Sequence, residues 1–346
     1  MWQQTSEYVY LKADAHKFEN NKKLNLACFD LDQTLIKPKS GKKFPINEDD
    51  WQFCYNNIIT KLKEYHDTNY CVIIISNQAR FKSEWKNKLD KIIKELDIPV
   101  SVYASIAHNK YRKPMIGFME MIATIFSSKS FYCGDACGRY SDHADTDIKF
   151  ALNAKLKFIV PEKIFMNTDI PIPKILYKPF EDMKIYTDNV FVKRERDVII
   201  LVGYSGSGKS TFARKYFDTY EYINQDILKT KKECINKTKQ YLLNGKSVII
   251  DNTNPSGETR KIYIDLIKNY SGYTIRCIHI ATSKELSMHN ANYRMCYENG
   301  QHIPEIAYNI YKKKFRLPDE NEFAEIITHI PKYENSDAKY SHMYLY

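Results

Sequence analysis

Two α/β domains in series, each a doubly wound parallel sheet, are predicted by three features of this 346-residue chain. Short apolar runs alternate with amphipathic stretches from Leu24 to about Leu156, and a second such series begins at Asp197. Between them, IPIPKILYKPFEDMK carries Pro171, Pro173 and Pro179, a spacing that breaks regular structure and reads as a linker. Length alone also favours two cores over one. The seam falls near residue 185, giving domains 1–185 and 186–346.

The runs LNLACF, CVIII, VSVYASI and SFYC read as buried strands, with Trp85–Leu96 and Ile116–Phe126 as helices between them. Such alternation is the mark of βαβ units. DVIILV, SVIID and YTIRCIHI repeat the pattern in the second half. No apolar run is long enough to span a membrane. Met1–Tyr10 lacks a basic segment followed by an apolar one, so an intracellular protein, cytoplasmic or nuclear and not secreted, is expected. The eight cysteines are scattered with no C-x-x-C pair, which fits reduced thiols better than a zinc site. Abundant Lys, Asn, Ile and Tyr suit an AT-rich genome such as a virus or protist carries. The 52 basic against 42 acidic residues give a net charge of +10. That balance suits a polyanionic partner, although an ordinary solvated basic surface has it too.

In LNLACFDLDQTLI, Asp30 and Asp32 leave a buried strand two residues apart. Alternation along a strand points both to one side, at the edge where doubly wound sheets bind ligands. Two carboxylates so close repel, and a hard divalent cation such as Mg²⁺ relieves them. Ser76 and its neighbour Asn77 end the CVIII run, Lys113 lies in YRKP, and Asp135 follows SFYC. Singly, these are a helix cap, a surface lysine and a turn acid; in this order, each at a strand exit, they resemble the haloacid-dehalogenase phosphatase superfamily. The resemblance implies Asp30 as nucleophile and Asp32 as the acid and then base. It implies Thr34, Ser76 and Asn77 on the substrate phosphate, with Lys113 neutralising it. Asp30, Asp135 and the backbone carbonyl of Asp32 would hold Mg²⁺.

GYSGSGKST places Gly203, Gly208, Lys209 and Ser210 in a G-x-x-x-x-G-K-[ST] loop between a strand and a helix. Ser205, Gly206, Ser207 and Thr211 complete it. Backbone N–H groups there would cradle the phosphates of ATP, Lys209 would bridge them, and Ser210 would help hold Mg²⁺. Asp226, in YINQDILK, is placed to accept a proton from an attacking hydroxyl, as in P-loop kinases. Asp251 ends the next strand. Arg260 stands where an acceptor phosphate would need a partner, and His289, Asn292 and Arg294 suggest a lid over the donor.

FDLDQTLI, YRKP, GDACGR, SDHADTDIKFALN, GYSGSGKST, IDNTNP and HIPEIAYNIYKKKF together resemble the polynucleotide kinase 3′-phosphatase family, from about Leu11 to Pro331. The phosphatase comes first, as in the animal enzymes and unlike the bacteriophage one. That resemblance implies an enzyme that heals DNA or RNA strand ends with Mg²⁺ and ATP, and a downstream ligase as partner. Asp142 and Asp147 match a further acidic pair that assists the metal or the site's architecture. Gln33 departs from the family, replacing a glycine after the acid/base aspartate. Too few residues precede the first strand for the forkhead-associated module of the animal enzymes, so phosphothreonine docking is not expected. Two rival readings stay open: a kinase-phosphatase of a small sugar or nucleoside, and an inactive end-binding module.

Overall fold

The computed structural model describes residues 1–16, 23–78, 84–122, 125–175, 178–298, 300–333 and 343–346. It divides into one unit of Met1–Leu176 with Met343–Tyr346, and a second of Tyr177–His342. The last four residues thus lie with the first unit, although they come after the second unit in sequence. Among the described residues no helix is long and apolar enough to cross a membrane.

The first unit carries strands β1 (Gln3–Gln4), β2 (Tyr8–Leu11), β3 (Lys23–Phe29), β4 (Ile36–Lys37), β5 (Gln52–Phe53), β6 (Tyr70–Asn77), β7 (Val100–Ser105), β8 (Ile125–Phe126), β9 (Phe131–Cys133) and β10 (Lys157–Ile159). Its helices are α1 (Ile58–Asp67), α2 (Glu84–Leu96), α3 (Gly117–Ile122), α4 (Thr146–Asn153) and α5 (Pro161–Phe165). The main sheet runs β1-β2-β7-β6-β3-β9-β10, with β8 beside β3. From β7 to β10 all pairings are parallel, whereas β1 and β2 join antiparallel at the edge. The stretch expected as one helix over Ile116–Phe126 is α3 followed by β8, because Ile125 and Phe126 pair with Lys23 and Leu24. Along β3 the side chains alternate: Ala27 and Phe29 enter one core, Leu26 and Cys28 the other. That two-sided burial is why the strand reads as an unbroken apolar run.

The second unit contains α6 (Pro179–Asp182), β11 (Asp197–Val202), α7 (Lys209–Tyr216), β12 (Glu221–Ile223), α8 (Gln225–Leu228), α9 (Lys231–Leu243), β13 (Val248–Ile250), α10 (Gly257–Ile267), β14 (Thr274–Ile280), α11 (Lys284–Tyr297), α12 (Glu305–Lys314) and β15 (Glu325–His329). Its sheet is parallel throughout, in the order β12-β13-β11-β14-β15. Val198, Ile200 and Val202 face one core, Ile199 and Leu201 the other. In both units, segments leaving the carboxyl ends of central strands carry expected site residues, where doubly wound folds bind ligands.

Candidate active sites

Asp30 is the first residue beyond β3, and its N–H donates to the Cys133 carbonyl at 2.8 Å. That bond holds the ends of β3 and β9 together. Lys113 reaches the same point from the loop before α3. Its buried Nζ donates to Asp30 Oδ1 (2.6 Å), to the Tyr132 hydroxyl (2.6 Å) and to Asp147 Oδ1 (2.7 Å). Asp147, in the first turn of α4, spends its other oxygen on the Ala136 N–H at 3.0 Å. A Cβ at Gly134 would lie 2.4 Å from that oxygen, so only glycine leaves Asp147 room.

Asp30, Asp135 and Asp147 each present one oxygen within 4.8 Å of the others. Three carboxylates face one lysine, an excess of negative charge in a buried place. Burial pushes Asp30 well above the usual carboxylate range, with Lys113 opposing and Asp147 and Asp135 reinforcing. Burial and then the charge of Asp147 push Asp135 to about 6. Lys113 resists its own burial because Asp147 and Asp30 hold it up, at about 12. Hard oxygen donors with surplus negative charge are what a magnesium ion requires.

Other expected residues are placed differently. Thr34 is fully buried and exchanges two 3.1 Å hydrogen bonds with Asp135, so its hydroxyl positions that carboxylate. Asn77 brackets the Lys113 backbone with its amide, at 3.0 and 2.9 Å. Ser76 accepts from Gln78 Nε2 at 2.8 Å, and Gln78 also donates to Asp32 Oδ2 at 2.7 Å. Asp32 itself is half-exposed, and the buried Lys88 of α2 lies 3.9 Å from it. Asp142 pins the GDACGR turn, accepting from Arg139 Nε and from the Cys137 N–H. Gln33 has φ +65°, the left-handed region that glycine enters freely and other residues enter at a cost of about 1–2 kcal/mol. Tyr132, Gln78 and Lys88 belong to no motif, although Tyr132 lies two residues before the GDACGR turn and Gln78 directly follows Asn77.

In the second unit, Gly203–Thr211 wraps the start of α7. Gly206 has φ +80°, and a Cβ there would lie 2.2 Å from the Ser287 carbonyl of α11. Lys209 is buried and donates to the carbonyls of Gly203 (2.9 Å) and Tyr204 (2.6 Å). Burial, aided by Arg294, lowers it to about 8 against the pull of Asp251 and Asp226. Nucleotide phosphates bound in the loop would add negative charge beside this buried cation. Ser210 Oγ donates to Asp251 Oδ2 at 2.5 Å, and the Tyr222 hydroxyl donates to the same oxygen. A cleft of about 970 Å³ is lined by the loop together with Asp226, Asp251, Asn252 and Arg294. Ser205, Gly206, Gly208, Ser210 and Thr211 line it, while Ser207 is wholly buried and shapes the loop from behind.

Two expectations in this unit need correction. Arg260 does not reach the cleft. Its guanidinium is buried against Glu322 (2.8 and 2.6 Å) and the Arg316 carbonyl (3.0 Å), so it fastens α10 to the segment after α12. Asn292 does not line the cleft; its neighbours Asn290, Tyr293 and Arg294 do, with the buried His289. Asn290 donates to the Gly206 carbonyl at 3.0 Å, so α11 is packed onto the phosphate loop as part of its wall.

The family described as polynucleotide kinase 3 phosphatase matches residues 25–165, within the first unit. A family described as AAA domain matches residues 198–318, within the second. A bifunctional polynucleotide phosphatase/kinase of Schizosaccharomyces pombe is 38% identical over 88% of this chain and 79% of its own length. The chain belongs to the bifunctional polynucleotide phosphatase/kinase family. An Acanthamoeba polyphaga mimivirus protein, provisionally given the same two activities, is 31% identical over 92% of this chain and 90% of its own length. A polynucleotide 3′-phosphatase of Saccharomyces cerevisiae is 28% identical, matching 41% of this chain and 87% of its own. As a member of this family the chain is a nucleic-acid end-healing enzyme with one phosphatase and one kinase unit, not an inactive end-binding module.

Proposed function

We propose that the first unit removes the phosphate from a 3′ end and the second phosphorylates a 5′-hydroxyl, on DNA or RNA, before a ligase acts. The observation that carries this reading is the pairing of two sites in one chain. One is a carboxylate cluster with surplus negative charge, the other a phosphate loop wrapped around the buried Lys209, with Asp226, Asp251 and Arg294 lining the same cleft.

In the first unit an Asp30 oxygen attacks phosphorus, forming an aspartyl-phosphate as the bond to the 3′-oxygen breaks. Asp32 gives that oxygen its proton, then takes one from the water that hydrolyses the intermediate. Gln78 aims the Asp32 carboxylate, and Lys113 holds Asp30 while facing the developing charge. Asp30, Asp135, Asp147 and the Asp32 carbonyl would hold Mg²⁺, which when bound neutralises the transferring phosphoryl group.

In the second unit Asp226 takes the proton from the 5′-hydroxyl, whose oxygen displaces ADP from the γ-phosphate of ATP. Lys209, Arg294 and the loop N–H groups bind the donor phosphates. Ser210 and Asp251 would hold the accompanying Mg²⁺.

An oligonucleotide bearing 5′-OH and 3′-phosphate, with Mg²⁺ and ATP, tests the reading against a free nucleoside and a free 3′-nucleotide. Both kcat/KM values should be larger on the oligonucleotide by orders of magnitude. Equal values on the small molecules would make the chain a metabolite kinase-phosphatase.

A further inference from the structure

A third built feature lies outside both sites. Met343–Tyr346 follow the kinase unit in sequence yet belong to the phosphatase unit. Leu345 is fully buried and Met343 nearly so. Asn153, the last residue of α4, brackets Tyr344: its Oδ1 accepts from the Tyr344 N–H at 2.8 Å and its Nδ2 donates to the Tyr344 carbonyl at 2.6 Å. The same Nδ2 donates to the Pro114 carbonyl at 2.9 Å. Both amide hydrogens of this buried side chain are thereby used. One turn earlier Lys149 donates to the Tyr346 backbone oxygen at 2.7 Å, lies 4.8 Å over its ring and pairs with Asp145 at 2.9 Å.

These anchors bear on the reacting groups. The first turn of α4 supplies Asp147, which holds Lys113 and the Tyr132 hydroxyl. Pro114 is the residue after Lys113. Asn153 therefore joins the tail at once to the helix that supplies Asp147 and to the segment that supplies Lys113.

We propose that Met343–Tyr346 is a positioning element of the 3′-phosphatase, seated on α4 and the Lys113–Pro114 segment and fixed by Asn153. Phosphate removal then depends on residues that lie beyond the kinase in sequence. The inference rests on the assignment of 3′-phosphatase chemistry to Asp30 and Lys113.

The test compares the chain lacking Met343–Tyr346, and Leu345→Asp, with the unaltered chain in both reactions. Because small displacements of reacting groups cost rate, kcat for 3′-phosphate release should fall about tenfold. KM and the 5′-kinase rate should stay within about twofold, which separates positioning from substrate binding. Leu345→Met should restore the rate. Should the deletion unfold the unit, Leu345→Ala provides the reading: faster hydrogen exchange in α4 and around Lys113, with β3 and β6 still protected and kcat reduced. An unchanged phosphatase kcat, a loss confined to KM, or parallel loss of both activities would overturn the proposal. Asp30→Asn in the same assay keeps the two ideas apart. If it still releases phosphate, the assignment of the chemistry fails. If it is inactive while the deletion is silent, only the tail proposal fails.

Discussion

Lys113 has three hydrogen-bond donors and spends each on a different residue of one site: Asp30, Tyr132 and Asp147. The Tyr132 hydroxyl therefore sets the direction of the ammonium. Tyr132→Phe keeps the ring in its core and removes that bond. A hydrogen bond to a charged group is worth about 1.5–3 kcal/mol, so the phosphatase kcat should drop at least about tenfold with the kinase rate untouched. An unaltered rate in a steady-state phosphatase assay would leave Tyr132 a packing residue. Asp30, Asp32, Lys113, Asp135, Lys209 and Asp226 were legible because each sits inside a short motif whose spacing is its signal. Tyr132, Gln78 and Lys88 were not, because the contacts that tie them to Lys113 and Asp32 come from residues far along the chain. Arg260 was misread for the same reason: Glu322, which claims it, lies far along the chain and no local pattern announces the pair.

At the scale of elements, alternation of apolar runs with amphipathic helices disclosed the central parallel strands, since burial on both faces leaves an unbroken apolar signature. The edge hairpin β1–β2 left no such trace: its strands are short and mostly half-buried or exposed. Its attachment has a titratable pin. In the turn after β2, His16 Nδ1 meets the Ser101 hydroxyl of β7 at 2.7 Å. Burial lowers its pKa to about 4, from about 6.5 in an unfolded chain. The folded form therefore holds a neutral ring that the unfolded chain would protonate. Above pH 6.5 the fold loses nothing by this; as pH falls towards 4 stability should decline, by at most about 3 kcal/mol. Urea unfolding across that range should show the slope, and His16→Gln should flatten it. An identical slope in the variant would show that other groups carry it.

For the whole molecule, the charge of +10 and the cleft that holds Lys209 and Arg294 suit a polyanionic substrate. Binding of an oligonucleotide should weaken with salt along a straight log–log line whose slope is close to the number of phosphates contacted. A flat response of KM would disfavour such a substrate. Two chemistries in separate units imply that either can be removed alone. Asp30→Asn and Asp226→Asn, each assayed for both reactions on one oligonucleotide carrying 5′-OH and 3′-phosphate, probe this without disturbing shape. Asp30→Asn should abolish phosphate release and leave 5′ phosphorylation intact. Asp226→Asn should lower the kinase kcat by about 10²–10⁴ while ATP affinity and phosphate release persist. Loss of both reactions in either folded variant would break the assignment of two independent sites, and near-normal kinase turnover in Asp226→Asn would remove Asp226 as the base.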